Sequence, residues 1–210
     1  RSNQPFKSGE NILIFNGEIY NYIEIRDELI KLGHNFFTSS DTEVLAKSLI
    51  QWGSEALKRL EGMWAFAWYN KETHKLIISR DRFGEKPLFL WRNSDGFYFG
   101  SEIKALASLA GYWPNINRNH LYRYLINGYK TLYKVSETFY EDVEELKPGH
   151  FLEFDSNSQF TIKSYWEREG KINHNMNYQD AVELTRSSLV NSLKLRLRSD
   201  VPIAFCMSGG

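Results

Sequence analysis

The apolar positions along the chain change period several times. Residues 11–15, NILIF, make a short β-rich run that ends on Asn16-Gly17, a dipeptide whose residues both tolerate the positive φ of a tight turn. Ile25, Leu29 and Leu32 then recur at helical spacing through residues 21–32, and Gly33 marks the stop. Residues 34–38 read as extended. Ser40, with Glu43 three residues later, makes a capping box that opens a second helix over residues 42–52, closed by Gly53.

From residue 63 the period becomes two. Trp64, Phe66 and Trp68 fall on one face, and Met63, Ala65, Ala67 and Tyr69 on the other, so this strand must be covered twice. Residues 75–79, 88–91 and 97–99 continue it as an antiparallel meander with an Asp-Gly turn at Asp95-Gly96. Helices are predicted over residues 101–109, capped by Ser101, and over 117–126. A strand at residues 150–154, after Pro148-Gly149, can pair with residues 160–165 across 155–159. A meander apolar on both faces, with amphipathic helices before and after it, predicts an α+β fold of two stacked sheets with helices outside, a four-layer αββα sandwich.

Residues 166–177 are polar and weakly periodic and read as a linker. Beyond them, Ala181, Leu184, Leu189, Leu193 and Leu197 line one side of a long helix over residues 180–198, and residues 201–207 read as a buried, parallel-type strand running into Ser208-Gly209-Gly210. The expected division is therefore residues 1–165 and residues 166–210. The chain begins without a methionine and stops on an unfinished turn, so it reads as a piece of a longer polypeptide.

Charge narrows the function classes. Lys plus Arg and Asp plus Glu both number 26 in 210 residues, a formal net charge of zero, so no long-range field gathers nucleic acid or anionic lipid. The longest apolar runs fall far short of the roughly 20 residues that span a bilayer. The lone cysteine, Cys206, allows no internal disulfide and no thiolate zinc cluster. With no secretory signal at the start, the cytoplasm is the expected location. His34, His74, His120, His150 and His174 are scattered, without metal-ligand spacing.

Four segments could carry chemistry. At Asn16-Gly17-Glu18, a side-chain amide and a neighbouring backbone N–H could converge on an oxyanion while the carboxylate holds an ammonium; a plain turn followed by a helix-start acid explains the same letters. Asp41 opens a helix with its carboxylate free for a ligand, or for the helix dipole alone. Arg80 and Asp81 read as a structural ion pair fixing a loop. Ser208-Gly209-Gly210, after an apolar strand, is how phosphate loops begin, and equally a tight turn. Cys206, inside an apolar run, is a poor nucleophile, so no attacking group is visible.

Taken together, residues 15–21 (FNGEIYN), 40–44 (SDTEV), 60–67 (LEGMWAFA), 80–88 (RDRFGEKPL), 101–106 (SEIKAL) and the terminal Ser-Gly-Gly resemble the glutamine-hydrolysing asparagine synthetases, within the class II glutamine amidotransferases. The match is loose between residues 110 and 165. The resemblance implies an N-terminal nucleophile hydrolase sandwich over residues 1–165, followed by the start of an α/β ATP pyrophosphatase (PP-loop) domain over residues 166–210. In that family an N-terminal cysteine attacks the glutamine amide, giving a thioester and ammonia. By motif, Asn16 and Gly17 would form the oxyanion hole, and Glu18 and Asp41 would bind the glutamine α-amino group. Ser208, Gly209 and Gly210 would be the first three positions of the loop that grips ATP, with Met207 near the nucleotide and magnesium present while aspartate is adenylated. The cysteine and the arginine for the glutamine carboxylate would lie ahead of Arg1, and the rest of the ATP loop beyond Gly210. The expected partners are glutamine, aspartate and ATP, with no nucleic acid and no membrane; a homodimer is left open. The parent protein is expected to be an asparagine synthase, and residues 1–210 alone are expected to hydrolyse no glutamine. A related ligase acting on another carboxylate, such as a sugar acid, or a non-catalytic glutamine-binding module, is the alternative.

Overall fold

The structure, a computed structural model, describes residues 3–129, 135–154, 160–168, 170, 172, 174–199, 201–205 and 209. Its hub is β3 (Gly62–Asn70), the strand apolar on both faces. This strand pairs antiparallel with β2 (Asn11–Ile19) on one side, Phe15 opposite Phe66 and Gly17 opposite Trp64, and with β4 (Lys75–Arg80) on the other. With β1 (Phe6–Ser8), β8 (His150–Phe154) and β9 (Phe160–Ser164) they make a six-stranded antiparallel sheet ordered β1-β2-β3-β4-β8-β9. A second sheet of three strands, ordered β6-β5-β7, contains β5 (Phe89–Arg92), β6 (Phe97–Gly100) and β7 (Val143–Glu145).

The expected single meander is therefore divided. The β3–β4 and β5–β6 hairpins belong to different sheets, because after Arg80 the chain crosses from one layer to the other. Packing shows four layers. Leu45, Leu49 and Leu57, from α2 (Asp41–Trp52) and α3 (Ala56–Arg59), bury the face of the large sheet that carries Phe15, Trp64, Phe66 and Trp68. Ala65, Ala67, Ile78 and Leu152 on its other face meet Leu88 and Leu90 between the sheets. Leu106 of α4 (Ile103–Ala110) covers Trp91 and Val143 beyond the small sheet. On the other side α1 (Tyr22–Lys31) packs Ile25 and Leu29 against Val44 of α2. Burying both faces of β3 in this way contributes about 1.5–3 kcal/mol for each large side chain before entropy is counted.

Local expectations meet mixed outcomes. Asn16-Gly17 makes no turn: β2 runs straight through it to Ile19, because nine residues of pairing with β3 outweigh the local turn preference. Gly17 is needed for closeness, since a Cβ there would stand 2.1 Å from the Met63 carbonyl oxygen. Residues 34–38 form no strand; the Glu43 carboxylate instead takes the Phe37 and Thr38 N–H groups at 3.0 and 2.7 Å. The forward half of the capping box is present, with Ser40 Oγ accepting from Glu43 N at 3.3 Å. Ser101 does not cap α4, whose N-cap is Glu102. Asn117 caps α5 (Arg118–Asn127) by accepting from His120 N at 3.0 Å.

The long helix is present as α6 (Tyr178–Arg196), and none of its residues is buried. Residues 201–205 form no strand, and Val201, Ile203 and Phe205 are exposed. An apolar strand of the buried type needs neighbours to pair with, and none of the described strands takes this segment. Cys206, Met207, Ser208 and Gly210 lie outside the described residues, and Gly209 is exposed.

Candidate functional site

The end of β2 and the start of α2 meet at a cleft of about 470 Å³ whose walls include Gly17, Glu18, Tyr20, Ser40 and Asp41. Each wall has a local cause. Ser40 caps α2, which places Asp41 at the first helical residue, and the long pairing with β3 carries Gly17 and Glu18 to the same place. Asn21 ties off the strand end: its Nδ2 donates to Arg59 O at 2.9 Å and its Oδ1 accepts from Glu61 N at 2.9 Å.

Asp41 joins the two elements directly. Its Oδ2 accepts the Ile19 N–H at 3.0 Å, and its Oδ1 accepts the Thr42 hydroxyl at 3.5 Å. Burial pushes the Asp41 carboxyl above the usual aspartate range, and the N–H groups of Ile19 and Thr42 only partly oppose that. A half-buried acid that is costly to ionise gains most from a cationic partner, which is the chemistry of an ammonium subsite. Exposed Glu18 supplies a second carboxylate in the same cleft.

Asn16 falls on the neighbouring side. Its Nδ2 donates to Ser101 Oγ at 3.2 Å, and it lines a hollow of about 200 Å³ between the sheets with Ala65, Leu88 and Phe99. The backbone before it is clamped by Gln4, whose Oε1 accepts the Phe15 N–H at 2.7 Å and whose Nε2 donates to the Phe15 carbonyl at 2.5 Å. Gly17, Glu18 and Asp41 thus share one cleft, with Asn16 at its edge and turned toward the next hollow. A larger groove of about 800 Å³ between Trp113 and Tyr140 holds none of them.

Reading the sequence alone missed Gln4, Ser101, Tyr20 and Arg198 at this site. Nothing local marks Gln4 or Arg198, since their partners stand 11 and 178 residues away. The Arg80–Asp81 expectation needs correction as well. The loop is fixed, but not by an ion pair between the two. Asp81, fully buried, accepts from the backbone N–H groups of Trp64, Phe83, Glu85 and Lys86 at 3.0–3.2 Å. Arg80 donates to the carbonyls of Gly84, Lys86 and Leu146 and pairs with Glu145 at 2.8 Å. Arg80 ends β4 and Asp81 opens the loop, so the carboxylate gathers the loop's donors and the guanidinium its acceptors.

Among the described residues no group of three or more His, Cys, Asp and Glu could hold a metal ion. No described helix is long and apolar enough to cross a membrane.

Comparison with known proteins places this cleft in context. Residues 1–166 match the family described as "Glutamine amidotransferase domain". The chain is 34% identical over 205 residues to glutamine-hydrolyzing asparagine synthetase 3 of Bacillus subtilis (strain 168), covering 98% of this chain and 33% of that protein. It is 30% identical over 217 residues to the amidase chyE of Penicillium rubens, covering 99% of this chain and 29% of that one. The chain therefore spans about a third of the length of these curated relatives. Among solved structures, the glutamine phosphoribosylpyrophosphate amidotransferase from B. subtilis, complexed with ADP and GMP, aligns with a TM-score of 0.54 at 24% identity, covering 82% of this chain and 33% of that one. That likeness shows the fold, the N-terminal nucleophile hydrolase sandwich of the amidotransferases.

Proposed function

The chain belongs to the glutamine amidotransferase domain family, and from that premise we propose that it forms the glutamine-binding part of an ATP-consuming amide ligase, with asparagine synthesis as the overall reaction. One observation carries the reading: Gly17, Glu18 and the half-buried Asp41 line one cleft, with Asp41 bonded to the strand that presents Gly17 and Glu18. Two acids receive the glutamine ammonium there. The Gly17 N–H and the Asn16 amide, once swung from Ser101 Oγ toward the cleft, stabilise the oxyanion that develops as the side-chain amide is attacked. The nucleophile is a cysteine ahead of Arg1, assisted by its own α-amine, and ammonia leaves as the thioester forms.

The acceptor is activated elsewhere. On this reading Met207, Ser208, Gly209 and Gly210 begin the ATP site, where ATP and magnesium supply the activation of the acceptor carboxylate. Aspartate is the acceptor that the name of the asparagine synthetases implies; the chain covers only about a third of such a relative, and a second reading, in which another carboxylate is amidated, rests on the same cleft.

Incubating the full-length chain with glutamine, ATP and aspartate tests the first reading by the formation of asparagine. Replacing Asn16 with Ala should lower glutamine hydrolysis by about 10²–10³-fold and leave synthesis from added ammonia intact. Pyrophosphate release that ignores aspartate but answers to a sugar acid would favour the second reading. Failure to bind glutamine at all would overturn both.

A further inference from the structure

α6 is exposed along its length, yet the chain just past its end returns to the glutamine cleft. Arg198 donates from Nη1 to the Tyr20 carbonyl at 2.8 Å and to Glu24 Oε2 at 2.6 Å, and from Nη2 to Glu24 Oε1 at 2.5 Å. The Arg196 guanidinium stands 5.3 Å from the centroid of the Tyr20 ring. A fork-on-carboxylate pair of this kind holds a fixed geometry where a lysine would swivel. The Arg198 hydrogen bond also keeps the Glu24 carboxyl below its ordinary range.

The contact completes a clamp. The Ile19 N–H goes to Asp41, the Tyr20 N–H to Glu61 O at 2.7 Å, and the Tyr20 carbonyl to Arg198. These three bonds hold the backbone immediately after Gly17-Glu18, where a ligand ammonium would sit. Two of them come from the sandwich itself, and the third comes from beyond residue 166, the last residue of the family match.

We propose that Arg198 is a positioning residue for the glutamine cleft, through which the segment following the amidotransferase domain sets glutamine affinity. The proposal rests on the glutamine-binding reading above. Because coupling between sites is reciprocal, glutamine in the cleft tightens the Arg198–Glu24 latch by the same factor that the latch tightens glutamine.

The test uses the full-length chain. Arg198→Ala should raise the KM for glutamine by about 5–10-fold, with kcat within about twofold and the ammonia-driven reaction unchanged. Arg198→Lys, which keeps the charge but on a single donor nitrogen, should recover part of that loss. Combining Arg198→Ala with Glu24→Gln should cost no more than Arg198→Ala alone. A KM that stays within about twofold of wild type, or an ammonia-driven rate that falls in parallel, overturns the proposal. If the wild-type chain uses no glutamine, the functional reading has failed, and the latch is then read by hydrogen exchange. The Ile19 and Tyr20 amides should exchange about tenfold faster in Arg198→Ala, and unchanged exchange there rejects the latch itself.

Discussion

The carboxylate of Asp41 lies 3.0 Å from the backbone nitrogen of Ile19, so the first residue of a helix is hydrogen-bonded to the last residue of a strand 22 positions earlier. That bond closes the cleft wall. On the proposed function one side chain then serves both the fold and the ammonium subsite, and substitution can separate the two roles.

Asp41→Asn keeps an oxygen for the Ile19 N–H and removes the charge. Glutamine affinity should fall by about 10–100-fold, the worth of a charged hydrogen bond, as measured by calorimetry on the full-length chain. Stability should move the other way. The folded pKa is raised, so the contribution of Asp41 is fully present below its unfolded value and is lost as pH rises through the folded value. The Asn variant should therefore match wild type in acid and exceed it in stability at pH 8. Thermal melts across that range check this.

Gly17→Ala places a methyl 2.1 Å from the Met63 carbonyl, where only backbone stands. The strands must separate locally, at a cost of about 2–4 kcal/mol. The melting temperature should drop, and glutamine hydrolysis should be lost even where the protein remains folded.

Asp81→Ala would strand buried backbone donors that now share one carboxylate. We expect a loss of about 3 kcal/mol or more in denaturant unfolding, whereas replacing exposed Glu18 should change stability by less than about 0.5 kcal/mol. Equal effects from the two substitutions would contradict the assigned roles.

Glu43 gives the opposite pH signature to Asp41. Burial alone would raise its carboxyl, but the Thr38 hydroxyl and the Phe37 and Thr38 N–H groups hold it below the ordinary glutamate range. Its contribution is present above the unfolded value of about 4.3 and lost as pH falls through the folded one. Glu43→Gln should cost about 1–2 kcal/mol at pH 7, and the gap to wild type should narrow as the pH falls below the unfolded value of about 4.3.

The sequence by itself determined whatever is written in local period or local capping. The two-faced β3, the helices α1 and α2, the Ser40 cap, the β8–β9 hairpin and the stacking of two sheets all follow from side chains that must be buried on a known face. The family motifs singled out Asn16, Gly17, Glu18 and Asp41, of which the fold gathers the last three in one cleft. Tertiary structure decided what depends on partners far along the chain. It turned Asn16-Gly17 from a turn into mid-strand, because pairing with β3 offered hydrogen bonds that no local turn could match. It split the meander between two sheets and assigned Arg80 and Asp81 to opposite sides of one loop. It brought Gln4 to the hollow beside Asn16 and Arg198 to the cleft, and it left residues 201–205 without a ladder. The physical reason is common to all of these: a hydrogen bond or a buried face is completed by whatever group folding delivers to it, and no periodicity within a segment records the identity of that group.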